Sequence, residues 1–576
     1  MDFHGTLPNI KAMKEPSVAY VSMEIAVASG VATYSGGLGV LAGDVVRAAA
    51  DAGYPMAGVT LLYREGYFRQ RLDAGGGQHE EPQPWDPASA MEQMPALVTV
   101  SVSGRPVTVS AWRYRVVGTD GDQVPVYFLD TDLPHNDDGA RALTRRLYGG
   151  DQHYRLEQEA LLGLAAPAML EALGHNGIAT FHMNEGHSSL LVLALLERTV
   201  PRDLSRVRAR CVFTTHTPVP AGHDRFGIDL AAHVLGGERI GTLRAFDLLD
   251  GDTLNMTTLA LRGSRFVNAV AMKHAEVTRE MFPHVAIHAI TNGVHAGTWT
   301  SPPFRALFDR QLPGWRRDNF LLRQAVGIPL DAIDAAHAQA KHLLVDRVAH
   351  ATGKLLDPSR FTIGIARRAT AYKRNDLILR DAARLAAIAH EFGGIQIVFA
   401  GKAHPADWDG KAMIQHIVGS APSLSGAVEV VYVENYDMAW GGALTSGADL
   451  WLNTPRPPNE ASGTSGMKAA LNGVPSLSVM DGWWIEAAPH GTGGWSIDAL
   501  TGADDDATAD ALYRTLAETI LPAYYRDRDA YLTVMRNAIA YNGSHFNAQR
   551  MLAEYAIDAY VPRDAEGAQT EELLAG

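Results

Sequence analysis

The chain alternates short β-branched runs with longer helical runs along most of its length. "SVAYVSME" at 17–24 predicts a strand, "GGLGVLAGDVVRAAADAG" at 36–53 a glycine turn and a helix, and "MAGVTLLY" at 56–63 the next strand. A strand, a helix and a strand in succession favour a parallel sheet. The chain is therefore predicted to have an α/β fold.

The alternation is interrupted by a β-rich segment and by a junction. "ALVTVSV", "RPVTVSAWRYRVV" and "VPVYFLD" alternate at period two, which predicts paired strands, and a long helix is predicted to end at Gly174. At 289–304 the composition turns to proline and aromatic residues, after which the alternation begins again. We therefore predict two Rossmann-like, doubly wound domains that face a cleft.

The junction sets the predicted boundaries, which are 1–295 for the N-terminal domain with its β-rich insertion and 296–576 for the C-terminal domain. The final helix, at about 535–562, is predicted to cross back to the first domain. In the second domain "FTIGIARR", "IQIVFAG", "AVEVVYVENY" and "GADLWLNT" predict strands, and "DLILRDAARLAAIAHEFGG" predicts a helix. Ligands of such sheets bind at the carboxyl ends of strands, so motifs at those ends are the candidate sites.

Composition narrows the class of protein. The net charge of −14 argues against a nucleic-acid partner, because phosphate binding to a duplex needs a basic face. The single cysteine, Cys211, fits a reducing compartment and rules out an intramolecular disulfide framework. The N-terminal residues have no apolar core of a signal peptide, and no run of roughly 20 apolar residues predicts a membrane span. We therefore expect a cytoplasmic location.

The stretch "NEASGTSGMKAALNG" at 459–473 joins a loop of small residues to a short helical run that contains Lys468. Free backbone N–H groups at such a junction bind anions, although ordinary helix capping by Ser or Thr explains the loop equally well. A lysine among apolar neighbours either extends to solvent or loses proton affinity. A lysine of low pKa is suited to a Schiff base, and an anion-binding loop beside it fits pyridoxal phosphate.

The cluster "RRATAYKR" at 367–374 follows a predicted strand directly. Guanidinium groups match phosphate geometry and lysine adds a point charge, so we favour phosphate binding over a solvated basic face. The glycines of "SGGLGVLAGD" at 35–44 allow close backbone approach to a ligand, but they also fit a simple tight turn.

Two loops, "HMNEGH" and "TTHTPVPAGHDRF", carry histidines and acids: Glu185, His187, His216, His223 and Asp224. No close-spaced ligand motif supports a metal site there, and we predict none. The tryptophans of "DGWWIE" could offer faces for sugar stacking, but tryptophans in an apolar strand are more often core residues. Glu460, which opens the Ser/Gly/Thr loop, could bind a hydroxylated ligand or only complement a helix dipole.

Several motifs in register resemble the α-glucan phosphorylases, which are the glycogen, starch and maltodextrin enzymes. They include "YVSME", "GGLGVLAGD", "HMNEGHSSL", "HTPVPAGHD", "ARRATAYKR", "VENYDMAW" and "EASGTSGMK". The chain looks like the short bacterial or archaeal form, so the regulatory extensions of the animal and plant enzymes are not implied. The resemblance implies a glycosyltransferase-B fold and a hexosyltransferase that uses pyridoxal 5'-phosphate.

The implied reaction is reversible phosphorolysis of terminal α-1,4-linked glucose in an α-glucan or maltodextrin. Orthophosphate is the acceptor, α-glucose 1-phosphate is released with retained configuration, and the cofactor phosphate shuttles the proton. A homodimer is implied by analogy alone. The alternative function is a nucleotide-sugar-dependent glycosyltransferase, similar to glycogen or starch synthase, which has no need of Lys468. A non-catalytic glucan-binding module is disfavoured, because sugar binding alone needs no phosphate cluster.

The resemblance also implies site residues, position by position. The catalytic residues are Lys468, which carries the cofactor, with Arg368 and Lys373 holding the substrate phosphate. The other cofactor residues are Arg367, Tyr436, Gly463, Thr464, Ser465 and Gly37. The substrate residues are Gly37, Leu38, Asn292, Glu460, Ser462 and Gly463, with Glu185 and His187 where the acceptor sugar approaches. Arg265 stands where the animal and plant enzymes carry a glucose-contacting histidine, so it is expected either to reshape the glucose pocket or to point elsewhere.

Overall fold

The computed structural model describes residues 11–424, 426–488, 492–497, 502 and 504–561, and this part of the chain forms two α/β lobes. The strands of the first lobe are β1 (Val18–Ser22), β2 (Met56–Leu61), β3 (Arg69–Leu72), β4 (Gln78–Glu81), β5 (Glu92–Gln93), β6 (Val98–Val102), β7 (Arg105–Val117), β8 (Gln123–Asp130), β9 (Thr180–Asn184), β10 (Cys211–Thr214), β11 (Arg225–Gly227), β12 (Thr253–Asn255), β13 (Phe266–Ala269) and β14 (His288–Ala289). Those of the second are β15 (Phe361–Ala366), β16 (Ile395–Ala400), β17 (Val428–Val433), β18 (Leu450–Asn453), β19 (Ser476–Val479) and β20 (Gly494–Ile497).

Helices connect the strands of both sheets. From the N-terminus they are α1 (Gly37–Asp51), α2 (Asp138–Ala142), α3 (Gln152–Ala172), α4 (Leu190–Arg198), α5 (Leu204–Arg208), α6 (Ile228–Leu235), α7 (Gly237–Ala245), α8 (Met256–Gly263), α9 (Met272–Met281), α10 (Ala296–Trp299) and α11 (Pro302–Gln311). They continue as α12 (Leu330–Thr352), α13 (Ala382–Glu391), α14 (Trp408–Leu424), α15 (Met438–Gly447), α16 (Ser465–Ala470), α17 (Trp484–Ala487), α18 (Asp505–Thr515), α19 (Leu521–Arg526), α20 (Arg528–Asn537) and α21 (Ala548–Glu554).

Both sheets have a doubly wound strand order. The second sheet runs β17-β16-β15-β18-β19-β20 and its pairs are all parallel, so the order reverses between β15 and β18. The parallel part of the first sheet runs β14-β13-β10-β9-β1-β2-β8, and its order reverses between β9 and β1. The predicted β-rich insertion appears as β5, β6 and β7, which extend this sheet with antiparallel pairing. The prediction of two doubly wound sheets is confirmed.

Local sequence signals explain where the helices begin and end. The predicted long helix is α3, which Asp151 caps at its N-terminus and which ends before Gly174, a residue with a φ of +88°. The helix predicted from "DLILRDAARLAAIAHEFGG" is shorter than expected. Leu377–Leu379 form only a 3₁₀ turn, and Asp381 accepts a hydrogen bond from Arg384 N to begin α13.

The β3–β4 hairpin and the C-terminal segment are among the elements that join the lobes. The β3–β4 hairpin of the first lobe reaches the second, where the Gln70 amide donates to Gly401 O (2.8 Å) and accepts from Asn435 N (2.9 Å). Beyond β20 the chain returns to the first lobe, and Tyr560 in the π-helical segment Tyr555–Tyr560 bonds His182 of β9 (2.8 Å). The domain boundary at residue 295 itself stays a prediction. None of the described helices is both long enough and apolar enough to span a bilayer.

Candidate active site

The polar motifs lie where the strand order of each sheet reverses. In the second lobe, the Arg/Lys cluster follows β15 and the Ser/Gly/Thr loop follows its neighbour β18. In the first lobe, Glu24 follows β1 and Glu185 follows its neighbour β9. The crevice at such a reversal is where doubly wound sheets bind ligands, so the candidate site lies in the cleft that these ends line.

Lys468 is buried in α16, with only 7% of its surface exposed. Its Nζ lies 3.7 Å from the centre of the Trp299 ring and forms no hydrogen bond with any residue that the structure describes. Burial lowers the pKa of the Lys468 amine to about 8, and only the Asp44 carboxylate opposes this shift. Asp44 in turn accepts hydrogen bonds from Trp299 Nε1 (3.1 and 2.8 Å), so α1 of the first lobe supports the lysine's aromatic platform.

The loop before α16 is not organised as an ordinary helix cap. Thr464 occupies the N-cap position but its side chain makes no capping hydrogen bond. Ser465 Oγ instead accepts from Trp451 Nε1 of β18 (3.0 Å), and Gly463 has a φ of +78° that favours glycine. Capping, the alternative to ligand binding that the sequence left open, therefore does not explain the hydroxyl of Thr464.

Arg367 is buried and fastens the ends of two strands together. Its Nε donates to Asn375 (2.7 Å), and its two terminal nitrogens donate to Asn453 and to Thr454 (3.0 Å). Burial lowers the pKa of Arg367 to about 10. The guanidinium is thus fixed at the carboxyl ends of β15 and β18, with each of its nitrogens already in a hydrogen bond.

Arg368 differs from its neighbour, because its side chain is exposed to the cleft and makes no hydrogen bond to a described residue. Its charge acts on Tyr67 and Glu24, so it faces the first lobe. Lys373 is fixed, since its Nζ donates to the Glu460 carboxylate. Burial lowers the pKa of the Lys373 ammonium, but Glu460 and Tyr372 together outweigh that effect, so the pKa is raised.

The glycine-rich turn before α1 is held by Glu24, which the sequence had shown only as part of a strand. Its carboxylate accepts from Ser35 N (2.5 Å), Gly36 N (3.3 Å) and the Tyr148 hydroxyl (3.0 Å). Burial raises the pKa of Glu24. An added Cβ at Gly37 would meet no atom within 4 Å, so this turn borders open space, with Leu38 half-buried beside it.

Two predicted sugar-site residues hold polar atoms without partners. Asn292 Oδ1 and Ser462 Oγ are buried and have no hydrogen-bond partner in the described part of the chain. Leaving such an atom unpaired costs about 1–3 kcal/mol, so unpaired buried groups are candidates for ligand contact. The two residues come from different lobes, on either side of the cleft.

Glu185 and His187, which were predicted where the acceptor sugar approaches, lie in a largely buried group with a strained backbone. Glu185 has φ 75° and ψ 163°, a region that is essentially restricted to glycine, and its carboxylate accepts from His216 N (2.7 Å) and the Thr217 hydroxyl (2.9 Å). Burial lowers the pKa of His187 to about 3, which keeps its ring neutral beside Asp224 (3.4 Å). Strain of this kind is typical of functional sites.

One group has the residue types of a metal site. The ligand atoms of Glu159, His187 and Asp224 lie within 4.8 Å of one another. Arg155 already pairs with two of them, through Nε to Glu159 (2.7 Å) and a terminal nitrogen to Asp224 (3.0 Å). The guanidinium of Arg155 therefore supplies a positive charge beside the carboxyl groups of Glu159 and Asp224.

Tyr436 is half-buried beside α15, and burial raises the pKa of its hydroxyl. Its oxygen would lie 3.0 Å from a Cβ added at Gly441, so the glycine makes room for the ring. Tyr34 of the first lobe accepts from Met438 N nearby (3.1 Å). This predicted cofactor residue therefore also lies where the lobes meet.

The structure decides between two pairs of alternatives that the sequence left open. Trp483 and Trp484 are each only 2% exposed and belong to the core of the second lobe, so they offer no face for sugar stacking. Arg265 points elsewhere, since its N bonds Cys211 O and its Nε donates to Ala209 O (2.8 Å). These two carbonyl groups lie at the amino-terminal end of β10, on the side of the first sheet opposite the cleft. Arg265 therefore does not reshape the glucose pocket.

Sequence reasoning missed the residues that support the candidate site: Glu24, Asp44, Trp299 and Asp481. Asp481, which is 1% exposed, accepts from Glu460 N (2.9 Å), and burial raises its pKa to about 7. The apolar surroundings of these side chains resemble ordinary strand and helix sequence. Glu24 had a readable signal, because it ends the predicted strand at 17–24.

Comparison with known proteins agrees with this geometry. Residues 223–493 match the family described as carbohydrate phosphorylase, and residues 17–291 match the starch synthase catalytic domain. A maltodextrin phosphorylase of Thermococcus litoralis is 36% identical over 96% of this chain and 71% of its own length. A glycogen phosphorylase of Mycobacterium tuberculosis is 37% identical over 95% and 71%. A glycogen phosphorylase of Aquifex aeolicus is 32% identical over 94% and 85%.

The paired doubly wound sheets, with a polar site at both strand-order reversals, define a glycosyltransferase-B type of protein. Within that class the chain belongs to the carbohydrate phosphorylase family. The resemblance drawn from the sequence motifs is thereby confirmed.

Proposed function

We propose that the protein is an α-glucan phosphorylase. It would transfer the terminal α-1,4-linked glucose of a glucan or maltodextrin to orthophosphate, reversibly and with retention, and release α-glucose 1-phosphate. Family membership supports the reaction class. The observation that carries the proposal is Lys468, a buried amine of lowered pKa that has an aromatic ring but no hydrogen-bond partner among the described residues.

The residues around Lys468 fit pyridoxal phosphate. The amine is shielded from water, and the hydroxyl of Thr464 is not used in capping. The group would be held by Lys468, Arg367, Tyr436, Gly463, Thr464, Ser465 and Gly37. When bound, it would supply a phosphate whose second pKa lies near roughly 6, which can hold or release a proton near neutrality.

Arg368 and Lys373 are proposed to hold orthophosphate, with the Gly37 backbone opposite. The guanidinium of Arg368 is unoccupied by hydrogen bonds from described residues and exposed to the cleft, so it can form a forked contact with phosphate oxygens. Lys373 is kept charged and fixed by Glu460. These cations lower the repulsion between two phosphates, so the bound orthophosphate can give its proton to the glycosidic oxygen.

The sugar is proposed to satisfy the unpaired buried atoms of Asn292 and Ser462, because hydroxyl groups can both donate and accept. Leu38, Glu460 and Gly463 would complete the glucose subsite. Glu185 and His187 would lie toward the acceptor end of the glucan. His187 is neutral, so it can orient a sugar hydroxyl without adding charge beside Arg155.

The test incubates the protein, pyridoxal phosphate, maltoheptaose and orthophosphate, and measures glucose 1-phosphate. Borohydride reduction followed by peptide mass analysis should place the cofactor on Lys468, and Lys468→Ala should abolish both the label and the turnover. Lys402 is a matched control, because burial also lowers its pKa to about 8 but its Nζ donates to Phe68 O (2.7 Å). Lys402→Ala should retain the label. A folded wild type that takes up no cofactor would refute the proposal.

A nucleotide-sugar-dependent glycosyltransferase is the second candidate, favoured by the match of residues 17–291 to the starch synthase catalytic domain. It predicts glucan elongation from UDP- or ADP-glucose without pyridoxal phosphate. Elongation that survives Lys468→Ala would select it. The cytoplasmic location and the homodimer stay predictions.

A further inference from the structure

We infer that Asp481 is a positioning residue, whose carboxylate fixes Glu460 and, through Glu460, the ammonium of Lys373. The inference rests on the proposed function, in which Glu460 contacts glucose and Lys373 contacts orthophosphate. Asp481 itself would touch neither substrate.

The carboxylate of Asp481 is fully used in holding the backbone. It is 1% exposed, and its Oδ2 accepts from Glu460 N (2.9 Å) while its Oδ1 accepts from Gly482 N (2.9 Å). Oδ2 thus holds the Ser/Gly/Thr loop at Glu460, and Oδ1 holds the turn in which Asp481 itself lies. An uncharged amide in its place would present an N–H group to one of these two donors.

Two neighbours of Asp481 bind the same loop. Trp483 N donates to Ser462 O (2.8 Å), and a Cβ added at Gly482 would lie only 2.3 Å from that oxygen. Gly482 has a φ of +54°, so the turn needs glycine for both its conformation and this close approach. The turn 481–483 is therefore built against the loop, and Asp481 is its link to Glu460.

The link continues to the phosphate side. Glu460 is 6% exposed and its carboxylate accepts from Lys373 Nζ. Because Asp481 fixes the backbone from which this carboxylate extends, a shift at Glu460 N would move the ammonium as well. Outer residues that orient metal ligands typically contribute about 10–100-fold to affinity or activity, and we expect an effect of similar size here.

The experiment is a double-mutant cycle in the cofactor-loaded enzyme, with Asp481→Asn, Glu460→Gln and the combination. Asp481→Asn should lower kcat/KM for orthophosphate about 10–100-fold, and it should raise KM for both orthophosphate and maltoheptaose, because Glu460 contacts glucose and also fixes Lys373. If Asp481 acts through Glu460, the double variant should lie within about 3-fold of Glu460→Gln alone, since coupled positions are not additive. Asp381→Asn is the control, because Asp381 also accepts a backbone N–H (2.9 Å) but does so at the start of α13.

Additive losses in the cycle, or unchanged KM values for both substrates, would overturn the inference. If Asp481→Asn does not fold, Asp481→Ser takes its place in the same cycle. Turnover by the wild type distinguishes a failure of the proposed function from a failure of this inference. No glucose 1-phosphate from the wild type refutes the proposed function, whereas normal wild-type turnover with an unaffected Asp481→Asn refutes this inference alone.

Discussion

Replacing Lys468 by methionine should stabilise the cofactor-free protein at neutral pH. Burial lowers the pKa of this amine from 10.5 to about 8, and each unit corresponds to 1.36 kcal/mol, so holding the charged amine in the folded chain costs about 3 kcal/mol at pH 7. Methionine has similar length and no charge. Losing the contact of the ammonium with the Trp299 ring removes about 1 kcal/mol, which leaves a net gain of about 2 kcal/mol.

The stability gained by Lys468→Met should depend on pH in a direction that the pKa shift fixes. The folded-state pKa lies below the unfolded one, so between about 8 and 10.5 the unfolded chain binds more protons and the wild type gains stability as pH rises. The advantage of Lys468→Met should therefore shrink by about 1 kcal/mol between about pH 7 and about pH 9. Lys402→Met should gain less, because it also loses the hydrogen bond to Phe68 O.

The assay is urea unfolding followed by circular dichroism, on protein shown by its absorbance to be free of cofactor. A Lys468→Met variant that is less stable than wild type at neutral pH would refute the assigned burial. So would an advantage that grows as the pH rises.

Three further outcomes follow from the contacts. Arg368→Ala should raise KM for orthophosphate at least about 10-fold and change glucan affinity little, measured by steady-state kinetics, since its guanidinium is the exposed cation of the cleft; equal loss of both would contradict its role. Gln70→Ala should remove the side-chain bonds between the lobes to Gly401 O and from Asn435 N and should speed hydrogen exchange at the Asn435 amide, which loses its acceptor; unchanged exchange there would contradict the contact. Asp449 accepts from Lys341 Nζ (2.5 Å), which lowers its pKa to about 2 despite burial, so it contributes about 2 kcal/mol of stability above about pH 4 that is lost as pH falls through about 2. Asp449→Asn should lower stability by about 3–5 kcal/mol, measured by thermal unfolding, because it leaves the buried ammonium without its carboxylate.

The fold could be predicted largely because its signals are local. The glycine stop at Gly174 and the alternation of strand and helix act within a few residues, so the sequence alone shows them. The helix predicted from residue 376 begins later than expected, for a local reason as well. The apolar run is continuous there, but Asp381 provides an N-cap that begins the helix later.

The site could be predicted only in part, because its motifs are local and its support is not. The loops after β15 and β18 stood out by composition, yet the neighbourhood of Lys468 depends on Asp44 and Trp299, which are 255 positions apart in the chain. Arg367 was predicted as a phosphate ligand, but the sequence did not show that Asn375, Asn453 and Thr454 fix its guanidinium and leave only its remaining N–H groups for a ligand. Neither hydrophobic periodicity nor motif spacing in a single sequence shows which distant residues become hydrogen-bond partners.

The same long-range contacts tie the chemistry of the lysine to the docking of the lobes. Lys468 lies in the second lobe, its aromatic platform Trp299 lies at the predicted junction, and the platform is bonded by Asp44 of the first lobe. Opening the cleft would separate Asp44 from Trp299 and admit water to the amine. Since burial is what lowers the pKa of Lys468, that pKa would then return toward 10.5. We therefore expect the pKa of Lys468 to be lower when the lobes are docked than when they are apart.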